Sequence, residues 1–422
     1  MTQRKNKPKQ MANSKELPIS QTPEIQGRAV VEKDILNRGV VEIITKEGLE
    51  KRLREGKPLR VKYGIDPTMQ SGHIGHAVPI RKLRQFQDLG HTAVFIIGDY
   101  TARIGDPTNK TATRQSLDEK EIEKNAKYYF EQAYKILDKD KTEIHLQSEW
   151  YKTFALEDLI KLMSKTSHGQ LMSHETFEKR VKEEKSLAFH EMLYPVLQAY
   201  DSVAIKADVE LGGADQRFNF VLTRDIQKMY GQRPEEVILT HYLPGINGEE
   251  KMSKSLSNTI DLLENAENMY AKVMSIPDNL MPIYFELATD IPLEQIKDFS
   301  EKLITREIHP MELKKTLAKS ITSLYHDPEQ VKNAEERFQT LIQKRQVPED
   351  IKTIEVDSET VNLGDLLLKE GLVSSEKEAK RILGQRGIKI NNEVIDQLIV
   401  TIDKTLIIKV GKRRFLKIVP KT

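Results

Sequence analysis

Apolar positions in the first part of the chain fall into short runs separated by polar turns. The run LRVKYGID, Leu59 to Asp66, reads as a short buried strand. From Ala77 to Leu89 the residues Val78, Leu83 and Phe86 follow helical spacing, and TAVFIIGD, Thr92 to Asp99, again reads as a strand. Strand, turn, helix and strand in this order are the pattern of a right-handed crossover between parallel strands. TEIHLQ (Thr142 to Gln147) and VILTHYL (Val237 to Leu243) could extend that sheet, with the largely helical stretch from Leu156 to Tyr200 inserted between them. Residues 263–345 lack strand signals, and their heptad-like apolar spacing predicts several helices. RQVPEDIKTIEVDSET, Arg345 to Thr360, is polar and reads as a linker. Beyond it, Ser375 followed by Glu378 forms a capping-box pattern at the head of a helix containing Ala379, Ile382 and Leu383, and the tail from Leu398 onward alternates like strands.

The expected architecture is therefore α/β: an open parallel-sheet domain with a helical insertion over residues 31–260, an α-helical domain over 261–345, a linker over 346–360 and a small α+β domain over 361–422. A disordered basic tail is expected at 1–30. A length of 422 residues agrees with two or three domains. The chain has no cysteine, which excludes disulfides, thiolate zinc sites and a cysteine nucleophile, so any chemistry must use oxygen, nitrogen or charge. No protein-bound zinc or other resident metal is expected. The strongly apolar run from Ala93 to Gly98 is far short of the ~20 residues a membrane span needs. MTQRKNKPKQMANSK at the start lacks the apolar core of a secretory signal, so a cytoplasmic, membrane-free protein is expected. Net charge is only +2, yet residues 361–422 carry 13 Lys and Arg against 7 Asp and Glu. A basic module on a mildly acidic body points to a polyanion, although a solvated face is the commoner meaning of such a bias.

Two short runs carry the chemistry. SGHIGH, Ser71 to His76, lies where the first strand gives way to a helix, the place where an open α/β sheet binds its ligand. Free backbone N–H groups and the helix dipole favour phosphate there, His73 and His76 share a face, and Gly75 leaves room for a flat base. Two histidines that merely cap a helix would look the same. KMSKS, Lys251 to Ser255, follows the turn-rich GINGEE and sits on a loop, where Lys251 and Lys254 could grip one polyphosphate with Ser253 between them. Alone, such a loop usually means solvated surface. The two runs in this order, roughly 180 residues apart around one α/β domain, are improbable by chance.

Together these runs resemble the class I aminoacyl-tRNA synthetases, and GIDPT (Gly64 to Thr68), TARIGDPTNK (Thr101 to Lys110), YPVLQAYD (Tyr194 to Asp201) and GGADQ (Gly212 to Gln216) are similar to the bacterial tyrosyl-tRNA synthetases. The resemblance implies a Rossmann-like catalytic domain, a helical anticodon-side domain and, at residues 361–422, an S-four-type RNA-binding domain. It implies that Tyr194 and Gln198 hold the substrate's α-amino group and that Asp201 accepts a hydrogen bond from its phenol. These three fall at i, i+4 and i+7 on one helical face, which is also the spacing of an ordinary solvated stripe. Gly64, Asp66, Thr101 and Asp106 belong to the same tyrosine pocket by resemblance, with Thr101 and Asp106 near the amino group and Gln216 near the carboxylate. Gly213 and Asp215 fall at the ribose, Thr68 joins His73 at the ATP phosphates, and Lys110 and Arg114 form a second cationic loop opposite Lys251 and Lys254.

Tyrosine–tRNA ligation is what these likenesses imply, with ATP and its Mg2+ as substrate, L-tyrosine and tRNA(Tyr) as the other substrates, and a homodimer formed through the helical insertion. Lys380, Arg381, Arg386 and Lys389 would bind the RNA by shape and phosphate contacts. The substrate carboxylate is already ionised, its reference pKa being about 3.5, so attack on the α-phosphate needs no general base. What needs stabilising is spreading negative charge, work suited to Lys110, Arg114, Lys251, Lys254 and the two histidines. Tryptophanyl-tRNA synthetase is the neighbouring reading within the class, and an RNA-binding paralogue without activity is the reading outside it. One position departs from the pattern: many bacterial members have a tyrosine two places before the glycine of GxDPT, where this chain has Lys62, with Tyr63 next to Gly64. Adjacent strand residues point to opposite faces, so Tyr63 need not replace the missing contact. The connection from Asp201 to Gly212 also looks short.

Overall fold

A computed structural model of the chain describes residues 34–68, 71–108, 119–340, 351–357, 360–391, 393–402, 405–411 and 414–420. The chain divides into two compact units, Met1–Val331 and Lys332–Thr422.

The first unit is built on a six-stranded sheet in the order β1-β6-β5-β2-β3-β4. Its strands are β1 (Val40–Ile44), β2 (Arg60–Ile65), β3 (Thr92–Ile97), β4 (Thr142–Leu146), β5 (Val209–Gly213) and β6 (Glu236–Thr240). All neighbours run parallel except β1, which lies antiparallel on β6 at the edge. Ala93 to Ile97 of β3 are buried without interruption, as expected of a strand covered on both faces, and this is why the run reads apolar throughout. Helix α1 (Ile74–Asp88) crosses from β2 to β3 and buries Ala77, Ile80, Leu83 and Phe86. Helix α2 (Glu119–Ala133) adds Ala126, Tyr129 and Ala133 to the same core. The helical stretch after β4 contains helices Leu156–Met163, His168–Met172 and Glu175–Lys182, then α3 (Tyr194–Ile205). α3 packs along α4 (Arg217–Met229), which follows β5.

β1, α2 and β5 were not anticipated. β5 reads VELGG, in which a glutamate and two glycines hide a central strand. The helices expected over 261–345 are present as α5 (Ala266–Val273), α6 (Met281–Ala288), α7 (Leu293–Ile304) and α8 (Pro310–Ser323). These four lie within the first compact unit, and a further helix of the same stretch, Pro328–Phe338, runs across its end at Val331. The tie is physical: α6 packs on α1, and the Arg38 guanidinium donates to the Glu286 and Thr289 carbonyls at 3.0 and 2.8 Å.

The second unit contains a five-stranded sheet, β10-β9-β12-β13-β7, and a two-stranded ladder of β11 with β8. The strands are β7 (Thr353–Val356), β8 (Thr360–Asn362), β9 (Ile388–Ile390), β10 (Glu393–Val394), β11 (Ile399–Thr401), β12 (Leu406–Val410) and β13 (Arg414–Pro420), with α9 (Leu363–Lys369) and α10 (Glu376–Gly384) between β8 and β9. The linker expected over 346–360 gives way to structure before its end, because β7 pairs in parallel with β13 and completes the sheet. Ser375 caps α10 by accepting from the Glu378 amide at 3.2 Å, while Glu378 reaches back to Ser374 N rather than to Ser375 N, at 2.7 Å. Alternation in β12 is strict, with Leu406, Ile408 and Val410 buried.

Candidate functional site

The sheet order sets the location. From β2 the chain proceeds outward through β3 to β4, while β5 and β6 lie on the other side of β2. Connections that leave in opposite directions open a crevice above the carboxyl ends of β2 and β5. A cavity of about 300 Å³ occupies it.

The phosphate-suited end is assembled by backbone pairing. Gly72 to Ile74 run antiparallel to Ile260 to Leu262: Ile74 N donates to the Ile260 carbonyl at 2.9 Å, and Leu262 N to the Gly72 carbonyl at 3.1 Å, with His73 opposite Asp261. The loop holding Lys251, Ser253 and Lys254 therefore returns straight to the head of α1. Lys254 donates to Ser71 Oγ and lies 3.6 Å from Asp261 Oδ2, while Lys251 lies 3.8 Å from Asp215 Oδ2 and over the Tyr242 ring. These are partly exposed pairs of the kind worth little on their own, so a polyanion can displace their carboxylates. A Cβ at Gly75 would sit 2.9 Å from His73 Nδ1, so a side chain there would press on the His73 ring, while Met252 Cβ of the lysine loop would be 3.5 Å away, an ordinary contact. Across the crevice, a Cβ at Gly213 would meet the Tyr242 ring at 2.8 Å, and Tyr242 OH accepts from the Asp215 amide at 2.7 Å.

His73 caps α1 from extended backbone, and its ring stacks on His76 with centroids 3.8 Å apart. The His73 amide donates to His76 Nδ1 at 3.4 Å, which puts the His76 proton on Nε2. Burial, with the neighbouring histidine and the two lysines adding to it, holds His73 down to about 2; burial and the lysines hold His76 down to about 4. Both rings are neutral near pH 7. As neutral rings they can offer N–H groups to a phosphate, and the positive charge there is that of the lysines. His73 Nδ1 is buried without a hydrogen-bond partner.

The other end of the cavity is a closed polar network. Tyr194 OH donates to Asp66 Oδ2 at 3.0 Å and the Thr101 hydroxyl to Asp66 Oδ1 at 2.6 Å. Asp106 accepts from Thr108 N at 2.8 Å and from Gln216 Nε2 at 2.9 Å. Gln198 Nε2 donates to Gln216 Oε1 at 3.2 Å. Asp201, 3% exposed, accepts from Gln147 Nε2 at 2.7 Å and Trp150 Nε1 at 3.2 Å. Burial pushes Asp66 and Asp201 each up to about 7, Lys62 opposing the rise at Asp201, and burial also raises Asp106.

The cavity thus gathers Gly64, Asp66 and Thr68 from the end of β2, His73, Gly75 and His76 from the head of α1, and Thr101 and Asp106 after β3. Tyr194, Gln198 and Asp201 come from α3, Gly213, Asp215 and Gln216 from β5 and its turn, and Lys251, Ser253 and Lys254 from the loop. Lys110 and Arg114 lie outside the described residues. In the second unit Lys380 and Arg381 are exposed on α10, Arg386 is exposed just beyond it, and Lys389 is half-buried on β9.

Sequence reasoning missed Gln147, Trp150, Glu210, Asn219 and Tyr242. Gln147 could have been found, since a polar residue at the carboxyl end of a parallel strand faces the ligand crevice. Asn219, which donates to Gln198 Oε1 at 2.8 Å, and Tyr242 carry no such local signal.

The family described as tRNA synthetases class I (W and Y) matches residues 54–343. The chain is 44% identical over 386 residues to the tyrosine–tRNA ligase of Dehalococcoides mccartyi, covering 91% of this chain and 98% of that protein. It is 45% identical over 386 residues to the tyrosine–tRNA ligase of Thermotoga maritima, covering 91% and 96%. The crystal structure of the Archaeoglobus fulgidus tyrosyl-tRNA synthetase, complexed with L-tyrosine, is similar in fold, with a TM-score of 0.59 at 22% identity over 72% of this chain and 99% of that one. With the phosphate-suited turn, the lysine loop and the enclosed polar pocket on one crevice, and with this extent of matching sequence, the chain belongs to the class I tRNA synthetases for tryptophan and tyrosine, among the tyrosine–tRNA ligases.

Proposed function

We infer that this chain activates L-tyrosine with ATP, giving tyrosyl-adenylate and pyrophosphate, and passes the tyrosyl group to the terminal adenosine of tRNA(Tyr). The observation that carries this is the pairing of Gly72–Ile74 with Ile260–Leu262, which puts Lys254 and His73 on one wall of a crevice whose other end holds Asp201. Tyrosine lies with its phenol toward Asp201 and its ammonium toward Tyr194, Gln198 and the Asp66–Thr101 pair. A buried carboxylate aimed at a hydroxyl disfavours phenylalanine, because the wrong substrate fills the pocket without supplying the donor that the phenol adds to Gln147 and Trp150.

ATP enters as its magnesium complex, and the metal is part of that substrate. The tyrosine carboxylate oxygen forms a bond to the α-phosphorus as the bond to the pyrophosphate oxygen breaks, and the departing charge is met by Lys251 and Lys254. His76 Nε2–H and the neutral His73 ring supply oriented hydrogen bonds. Asp215 and Gly213 receive the ribose. The third substrate, RNA, engages the basic α10–β9 surface through Lys380, Arg381, Arg386 and Lys389. Exposed Leu156, Ile160, Val181 and Phe189 on the helical insertion suit burial against a second copy, and a homodimer is the proposed assembly. Among the described residues no helix is long and apolar enough to cross a membrane, and the cytoplasm is the proposed place of work.

ATP–pyrophosphate exchange tests the activity. Exchange dependent on tyrosine is expected; exchange driven by tryptophan would move the chain to the neighbouring specificity, and folded protein that binds tRNA without any exchange would overturn the enzymatic reading.

A further inference from the structure

Lys62 occupies the third position of β2, and its ammonium lies beneath the amino-acid end of the cavity with 1% exposure. An ammonium has three N–H bonds. Here each has an acceptor: Glu210 Oε1 of β5 at 2.6 Å, Ser202 Oγ of α3 at 2.8 Å and the Gln198 carbonyl of α3 at 3.2 Å. None is left to donate to a substrate atom. The two acceptors on α3 bracket the turn that carries Gln198 and Asp201 into the cavity. Tyr63, the next residue on the strand, packs against Phe95 with ring centroids 5.7 Å apart and belongs to the core on the other face of the sheet.

The ion pair is completed underneath. Glu235 is fully buried beside Glu210, and Glu210 Oε2 is buried without a hydrogen-bond partner. Burial, and then the neighbouring Glu210, push the Glu235 carboxyl well up, so Glu235 favours its neutral form, while Glu210 Oε1 faces the Lys62 ammonium. A buried charge with all its partners in place fixes geometry tightly, because any shift of α3 along β2 breaks a charge-assisted hydrogen bond.

We propose that Lys62 is a positioning residue for tyrosine recognition: by tying the Gln198–Ser202 turn of α3 to β5, it aims the Asp201 carboxylate at the substrate's phenol without touching the substrate. This rests on the inference that Asp201 receives the phenol. It gives the lysine at this position a function different from that of a tyrosine, which would offer its own hydroxyl to the ligand.

The test is the double variant Lys62→Met/Glu210→Gln, in which neither partner is left as an unpaired buried charge, read by ATP–pyrophosphate exchange with tyrosine and with phenylalanine. KM for tyrosine should rise about tenfold with kcat within about twofold, the pattern of lost uniform binding. The preference for tyrosine over phenylalanine should fall by a similar factor, and KM for ATP should hold. A folded variant with wild-type tyrosine KM and preference would overturn the inference, as would a parallel rise in the KM values for ATP and tyrosine, which marks general loosening. Should the double variant not fold, Ser202→Ala, which removes one acceptor, is read the same way: a rise of about threefold in tyrosine KM alone supports the inference, and no rise overturns it. No exchange by the wild-type chain would instead overturn the reading of activity beneath it, and this inference with it.

Discussion

Gln147 Nε2 donates to Asp201 Oδ2 at 2.7 Å, while Gln147 Oε1 accepts from the Thr101 amide at 2.9 Å and lies 3.0 Å from the Thr101 hydroxyl oxygen, whose proton goes to Asp66. One buried amide just beyond β4 thus couples the Asp201 carboxylate on one side of the pocket to Thr101, the partner of Asp66, on the other. Gln147→Leu removes both functions and leaves buried donors and acceptors unmatched. A loss of about 1–3 kcal/mol in folding stability is expected, read as a lower denaturant midpoint, with KM for tyrosine raised about tenfold. An unchanged tyrosine KM would mean that Asp201 and Thr101 keep their places without Gln147.

Lys254 bridges from the loop to Ser71 at the head of α1, and its charge faces the phosphate-suited end of the cavity. Lys254→Ala should slow adenylate formation by roughly a hundred- to thousandfold, the usual cost of losing one transition-state donor, with little change in tyrosine affinity. Pre-steady-state adenylate formation and equilibrium tyrosine binding separate the two. Weakened tyrosine binding with an unaltered activation rate would contradict the assignment.

The buried histidines set an acid limit on stability. Their ordinary value is 6.5, and burial lowers His76 to about 4 and His73 to about 2. Below pH 6.5 the unfolded chain takes up protons that the folded one refuses, so stability is fully present above that pH and is lost as pH falls toward 4 and then 2. His76→Gln should flatten the decline between pH 6.5 and 4, measured as denaturant midpoints across that range. Identical slopes for the two proteins would count against a neutral buried His76.

On the proposed RNA-binding surface, charge reversal at Arg381 and Arg386 should weaken tRNA binding and lower the salt slope by roughly one for each phosphate no longer neutralised. Tyrosine-dependent exchange should persist. A fall in exchange with tRNA affinity unchanged would place these residues outside RNA recognition.

Local signals carried much of the site. SGHIGH is legible because a strand followed by glycine and a helix start has one consistent geometry, and KMSKS because a lysine-rich loop after a turn has few other uses in partnership with it. β2, α1 and β3 are legible for a similar reason, each burying an apolar pattern of its own period. β5 was not legible, because VELGG owes its strand conformation to parallel neighbours on both sides rather than to propensity.

Charge states belonged to the tertiary structure as well. Nothing within SGHIGH says that both imidazoles are neutral; that follows from burial beside Lys251 and Lys254, which arrive from far along the chain. Lys62 reads as an ordinary strand lysine until Glu210, Ser202 and Gln198 close around it. By itself the sequence determined which chemical groups are present and which short segments turn, coil or extend, since those depend on near neighbours. Only the fold decided which of the groups meet, which are dry and which are charged, because burial and long-range pairing are properties of the assembled chain.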